Sequence, residues 1–155
     1  MAHGDRKRRF RSWADGYQAL ARLSEVVRAS GLEPSLLELV KTRASQINGC
    51  AYCVDMHTKD ARAAGETEQR LYALSAWEET PFFTDRERAA LALTEAVTRI
   101  ADTHAPIEVV DAAAEHFAPE ELTRLLWAII EINAWNRLAI TVGAPAPGSY
   151  QPGSH

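Results

Sequence analysis

Residues 34–65 read PSLLELVKTRASQINGCAYCVDMHTKDARAAG, and this stretch decides the fold. Pro34 suits the first turn of a helix on which Leu36, Val40 and Ile47 share a face, and Asn48-Gly49 ends that helix. Cys50-Ala51-Tyr52-Cys53 follows at once and opens a second helix that runs to Gly65. No strand pattern precedes the cysteines, so the pair stands on a helical scaffold and not in a βαβ setting.

The same periodicity extends in both directions. A helix over about 14–29 places Leu20, Leu23 and Val27 on one face and stops at Gly31. Thr67 can cap a helix carrying Leu71, Leu74 and Trp77. Thr84-Asp85-Arg86-Glu87 has the form of a capping box, opening a helix with Ala90, Leu93, Val97 and Ile100 at core spacing. A short helix from Ile107 to Phe117 precedes Pro119, where a long final helix begins and runs to about Val142. The expectation is an all-α bundle of about six to seven helices over residues 13–143. The stretches 1–12, basic, and 144–155, rich in Pro, Gly and Ser, are expected to be disordered tails.

The final helix is apolar nearly all round: Leu122, Leu125, Leu126, Trp127, Ile129, Ile130, Ile132, Trp135, Leu138 and Ile140 leave little polar face. It demands burial on every side. Either the other helices wrap it, or it lies in a subunit interface and the protein is a homo-oligomer.

Composition narrows the function. The chain has 155 residues, 46% apolar and 25% charged, with a net charge of -4. One domain of this size buries about 70% of the surface its unfolded chain exposes, so a core forms without staples. No apolar run approaches the ~20 residues of a membrane span. The acidic balance argues against a nucleic-acid surface. The basic cluster Arg6-Lys7-Arg8-Arg9-Phe10-Arg11 reads as a solvated tail, with a DNA-binding arm as its rival. No apolar segment follows it as in a secretory signal, so a reducing, cytoplasmic compartment is expected.

The chain's 2 cysteines therefore point to chemistry. A structural zinc site needs four ligands, and His3, His104, His116 and His155 lack the spacing to complete one. At 100° per residue Cys50, Cys53, His57, Ala61 and Ala64 fall in a stripe roughly 80° wide, opposite Asp55, Lys59 and Arg62. The thiols and the imidazole turn inward together. Cys53 and His57 are four residues apart, close enough for the ring to take the thiol proton. The helix dipole favours a thiolate at Cys50, nearer the terminus, whereas His57 favours one at Cys53. Helix geometry leaves that choice open.

The run Glu38 to His57, with Thr58 to Arg62 and Gly65 after it, resembles the carboxymuconolactone decarboxylase/AhpD-like alkyl hydroperoxidases. The likeness extends through Glu78 to Phe83 and Ile132 to Arg137, covering most of the chain. It implies an AhpD-like helical fold, a homo-oligomer, often a trimer or hexamer, and a peroxidase or disulfide-reductase activity. By position, Cys53 would be the peroxidatic thiolate, Cys50 the resolving thiol, and His57 with Glu38 the proton relay. The resemblance implies no metal or organic cofactor. The oxidant would be an organic hydroperoxide and the reductant a thioredoxin-like or lipoyl-bearing dithiol protein.

Two features depart from the family pattern or strain it. Some peroxidases of this family carry a histidine immediately before the second cysteine, where this chain has Tyr52. Glu38 points away from Leu36, Val40 and Ile47, towards Thr42 and Ser45, so a role for it requires that face to pack on the next helix or another subunit. Tyr52, Trp77, Phe82 and Phe83 are either pocket lining for an organic peroxide or core. Two rival functions remain: a lactone decarboxylase, which does not depend on a Cys-x-x-Cys, and a non-catalytic oligomer that senses redox state or binds metal through Cys50, Cys53, His57 and Glu38.

Overall fold

In the computed structural model, which describes residue 10 and residues 13–153, the chain reverses direction at Gly49, whose φ of 70° is a left-handed value that a Cβ would strain. The Gly49 amide caps the helix before it by donating to Gln46 O, and Cys50 N–H donates to Ser45 O. The two flanking helices form an antiparallel hairpin, and everything else packs round it.

In chain order the helices are α1 (Ala14–Arg28), α2 (Pro34–Asn48), α3 (Ala51–Ala63), α4 (Glu68–Ala73), α5 (Asp85–Thr98), α6 (Ile100–Thr103), α7 (Ile107–Ala114) and α8 (Pro119–Leu138). A 3₁₀ segment, Leu74–Glu79, continues α4, and a π turn, Ala139–Gly143, continues α8. Among the described residues there is no strand, and no helix is long and apolar enough to cross a membrane. The capping box at α5 forms as its sequence dictates: Glu87 N–H donates to Thr84 Oγ1 and Thr84 N–H donates to Glu87 Oε2. Thr67 Oγ1 accepts from Arg70 N–H at the start of α4. Helix α6, a four-residue turn, has no counterpart in the sequence reading; the backbone at Arg99, φ -100° and ψ 34°, breaks it from α5.

The central helix is α2, packed against α3, α5 and α8 and buried continuously from Leu39 to Ser45. The wrapped position is therefore not occupied by α8. Leu125, Ala128, Ile129 and Ile132 of α8 are buried, but Leu126, Trp127, Ile130 and Leu138 stay exposed, Trp127 by 49%. Its inward side buries Glu131, Asn133 and Asn136 instead. Those amides are matched: Asn136 donates to Ser45 Oγ at 3.0 Å, Asn48 donates to both Asn133 and Asn136, and Asn133 donates to Thr98 Oγ1.

Two apolar clusters hold the rest. One gathers Val27, Leu36, Leu37, Val40, Leu93, Phe117, Leu125 and Ile129 from α1, α2, α5 and α8 and the turn after α7. The other packs Leu39, Ala61, Leu74, Trp77, Phe83 and Leu91 behind the α2–α3 hairpin. Trp77 and Phe83 are thus core. The basic cluster at 6–11 lies outside the described residues except for Phe10, which is exposed, and His155 also lies outside them. The chain after Gly143 departs from the reading of a disordered tail in its described part. Tyr150 is only 6% exposed because its ring is buried and its hydroxyl donates to Asp60 of α3 at 2.7 Å. Lys59 donates to Tyr150 O, and Gly148 N–H donates to Asp55, tying the segment to α3.

Candidate functional site

Helix α3 begins with its own site. Cys50 is the N-cap, and its Sγ accepts from Cys53 N–H at 3.4 Å. The two cysteines form a disulfide with Cα atoms 5.3 Å apart, as a Cys-x-x-Cys on a helix start allows. Both are buried. One turn on, buried His57 presents its ring to α2, where Nδ1 lies 2.9 Å from Glu38 Oε2. A carboxylate accepts, so Nδ1 carries the proton and Nε2 is left as the basic nitrogen.

Glu38 reaches His57 because α2 is surrounded. Leu36, Val40 and their neighbours face the larger cluster, while the side bearing Glu38 and Thr42 faces α3. The required packing of that face on the next helix is present within one chain. The site also extends beyond Glu38 and His57. Ligand-type atoms of Glu38, His57 and Asp60 lie within 4.8 Å of one another, and Asp60 accepts from the Tyr150 hydroxyl. Burial, with the adjacent Asp60 carboxylate, raises the Tyr150 phenol well above its ordinary value, so it remains a donor. Among the described residues, Glu38, His57 and Asp60 are the three whose ligand-type atoms are close enough to share a cation; in the disulfide form the cysteines are spent on each other and cannot join them.

The site opens on a cavity of about 690 Å³ between α1, α2, α3, α8 and the segment after Gly143. Of the two cysteines, Cys53 lines it, together with His57 and Tyr52. Tyr17, Ala21, Met56, Leu138 and Val142 give it apolar walls. Tyr52 is in the lining, whereas Trp77 and Phe83 belong to the core and Phe82 is exposed.

A second polar group in that cavity escapes a reading by motif. Lys41 of α2 and Glu131 of α8 are 6% and 2% exposed, and Lys41 Nζ lies 3.5 Å from Glu131 Oε2. Ser24 of α1 donates to Glu131 Oε1 at 2.5 Å, and Trp135 Nε1 donates to Ser24 Oγ at 2.8 Å. All four line the cavity. The available signal was Glu131 itself, one charge inside the apolar run Ala128-Ile129-Ile130-Glu131-Ile132.

Residues 14–96 match the family model described as the carboxymuconolactone decarboxylase family. The chain belongs to that family. It is similar to the uncharacterized protein YdfG of Bacillus subtilis, 42% identical over 129 residues that span 83% of this chain and 88% of YdfG. Among solved structures it is similar to ATU0492 of Agrobacterium tumefaciens, a protein of unknown function suggested to be the antioxidant defence protein AhpD. That likeness has a TM-score of 0.84 and 42% identity, covering 87% of this chain and 92% of the other. The debrominase Bmp8 shares the fold, with a TM-score of 0.76 at 21% identity over 84% of this chain and 70% of that one. The all-α, AhpD-like fold of this family is thus the fold of the chain.

Proposed function

We propose that the chain is a thiol-dependent hydroperoxidase in which Cys53 is the peroxidatic thiol and Cys50 the resolving thiol. One observation carries the reading: Cys53 lines a cavity beside His57, whose Nδ1 is held by Glu38 at 2.9 Å. An imidazole oriented through one nitrogen and basic at the other is what a thiol needs in order to ionise.

In this reaction His57 takes the Cys53 proton. The thiolate attacks the terminal oxygen of an organic hydroperoxide; an S–O bond forms, the O–O bond breaks, and the alkoxide leaves and is protonated to the alcohol. The Cys50 thiolate then attacks the Cys53 sulfur, forming the disulfide and releasing the hydroxyl as water. A dithiol protein, thioredoxin-like or lipoyl-bearing, returns the pair to thiols by exchange and is itself oxidised to a disulfide. A reducing compartment such as the cytoplasm supplies such a donor. No metal or organic cofactor enters the cycle. Tyr52 stands where some relatives use a histidine, which leaves His57 and Glu38 as the proton relay. The exposed side chains of Leu126, Trp127 and Ile130 on α8 support a homo-oligomer, a trimer or hexamer, that covers them.

The test is intact mass with a free-thiol count, before and after one equivalent of cumene hydroperoxide, on the reduced protein and on Cys50→Ser. The expected result is loss of both thiols to an internal disulfide in the native chain and one added oxygen on Cys53 in the variant. Thiols that survive the peroxide contradict the proposal.

A further inference from the structure

Lys41 and Glu131 are costly residues to bury, and their geometry does not repay the cost. Lys41 makes no hydrogen bond to any described residue, and Glu131 Oε2 is buried without one, although the two atoms are 3.5 Å apart. A buried pair serving stability closes to a charge-assisted hydrogen bond of about 2.8 Å. Here the ammonium keeps unspent donors and lines the cavity that holds Cys53 and His57.

Its height along the hairpin is fixed by two contacts. Cys50 N–H meets Ser45 O at the closed end, and His57 meets Glu38 further down. Four residues back from Ser45 and four on from Cys50, or three on from Glu38 and three back from His57, the same partners result: Lys41 stands level with Val54, and Lys41 and Cys53 line the same cavity. Behind it, Trp135 holds Ser24, Ser24 holds Glu131, and Glu131 restrains the ammonium.

We propose that Lys41 is a further catalytic residue, the cation that receives the leaving alkoxide of an alkyl hydroperoxide, with Glu131, Ser24 and Trp135 as its positioning residues. The inference rests on the peroxidase reading above. As the Cys53 thiolate bonds to the terminal oxygen and the O–O bond breaks, the electron pair goes to the oxygen bearing the alkyl group. Lys41 donates a hydrogen bond to that oxygen and then its proton, giving the alcohol. The proton that His57 removed from Cys53 restores the ammonium, so the step consumes one thiol and one hydroperoxide and yields one sulfenic acid and one alcohol. A preorganised donor of this kind is worth about a hundredfold or more in rate.

The test compares two oxidants on the reduced protein, cumene hydroperoxide, whose leaving group is a strongly basic alkoxide, and peracetic acid, whose leaving acetate needs no proton. Lys41→Met is expected to slow thiol oxidation by cumene hydroperoxide about a hundredfold and that by peracetic acid only a few-fold. Equal slowing with both oxidants, or none with either, overturns the assignment. Lys41→Met/Glu131→Leu removes both charges together and guards against an unstable single variant. It is expected to show the same selective loss, and a return to the native rate with cumene hydroperoxide overturns the assignment too. A native protein that neither oxidant oxidises fails at the peroxidase reading itself, a result distinct from any of these.

Discussion

From Leu36 to Val40, helix α2 shares a dry cluster with Leu125, Ala128 and Ile129 of α8. Directly beyond it, the same two helices meet through Lys41 and Glu131, then through Ser45, Asn48, Asn133 and Asn136. The first region obeys the ordinary rule of apolar burial and supplies stability at about 25 cal/mol per Å² removed from water. The second buries polar atoms whose hydrogen bonds return only about 1 kcal/mol each. It also borders the cavity holding Cys53 and His57. Along each of these helices a dry stretch and a polar stretch lie end to end, and Lys41 and Glu131 of the polar one line the cavity.

Substitutions can break this contrast. The largest effect is expected from Cys53→Ser, which should reduce the rate of peroxide consumption on the order of a thousandfold or more and leave the urea midpoint of the reduced protein almost unchanged. Leu125→Ala, in the dry region, should cost about 3 kcal/mol of stability in urea unfolding while oxidation of the thiols stays within about twofold of native. Glu38→Gln should slow oxidation by up to about a hundredfold, the contribution typical of a positioned proton-transfer group, with little change in thermal midpoint because this side chain is partly exposed.

A smaller effect sharpens the comparison on the far side of α2. Burial opposes ionisation of Glu95, but bonds from Trp77 Nε1 at 2.9 Å and Arg43 Nε at 2.7 Å outweigh it, holding the carboxyl below its ordinary 4.5. The lowered group contributes stability that is complete above its unfolded value and lost as pH falls through its folded one. Urea midpoints of the native chain should therefore decline below about pH 4.5, and Glu95→Gln should flatten that decline.

These contrasts also mark what the sequence could convey. Local chemistry was legible: Pro34 at the start of α2, Gly49 at its end, the Thr84 box, and the stripe that joins Cys50, Cys53 and His57. The partner of His57 was not legible from periodicity, because a helix buried on all sides has no single apolar face, and Glu38 then reads as the polar side of an amphipathic helix. Lys41, Glu131 and Asn136 were hidden for the related reason that hydropathy counts them as surface. Tyr150 lay in a stretch whose composition suggests disorder; its seat depends on Asp60 and Lys59 of α3, about ninety residues away. Helix α8 was expected either to be wrapped by the other helices or to lie in a subunit interface, and within one chain its apolar residues divide between the core and an open flank.

The most direct test measures two quantities on two variants, His57→Gln and Ile129→Ala: the second-order rate of thiol oxidation by cumene hydroperoxide, and the free energy of unfolding in urea. A crossed result is expected. His57→Gln fills most of the buried space of the ring but has no basic nitrogen, so it loses about a hundredfold or more in rate and little stability, whereas Ile129→Ala loses about 3 kcal/mol of stability and reacts at nearly the native rate. If His57→Gln oxidises as fast as the native chain, or if both variants lose rate and stability together, the division between a dry framework and a reactive polar half is contradicted.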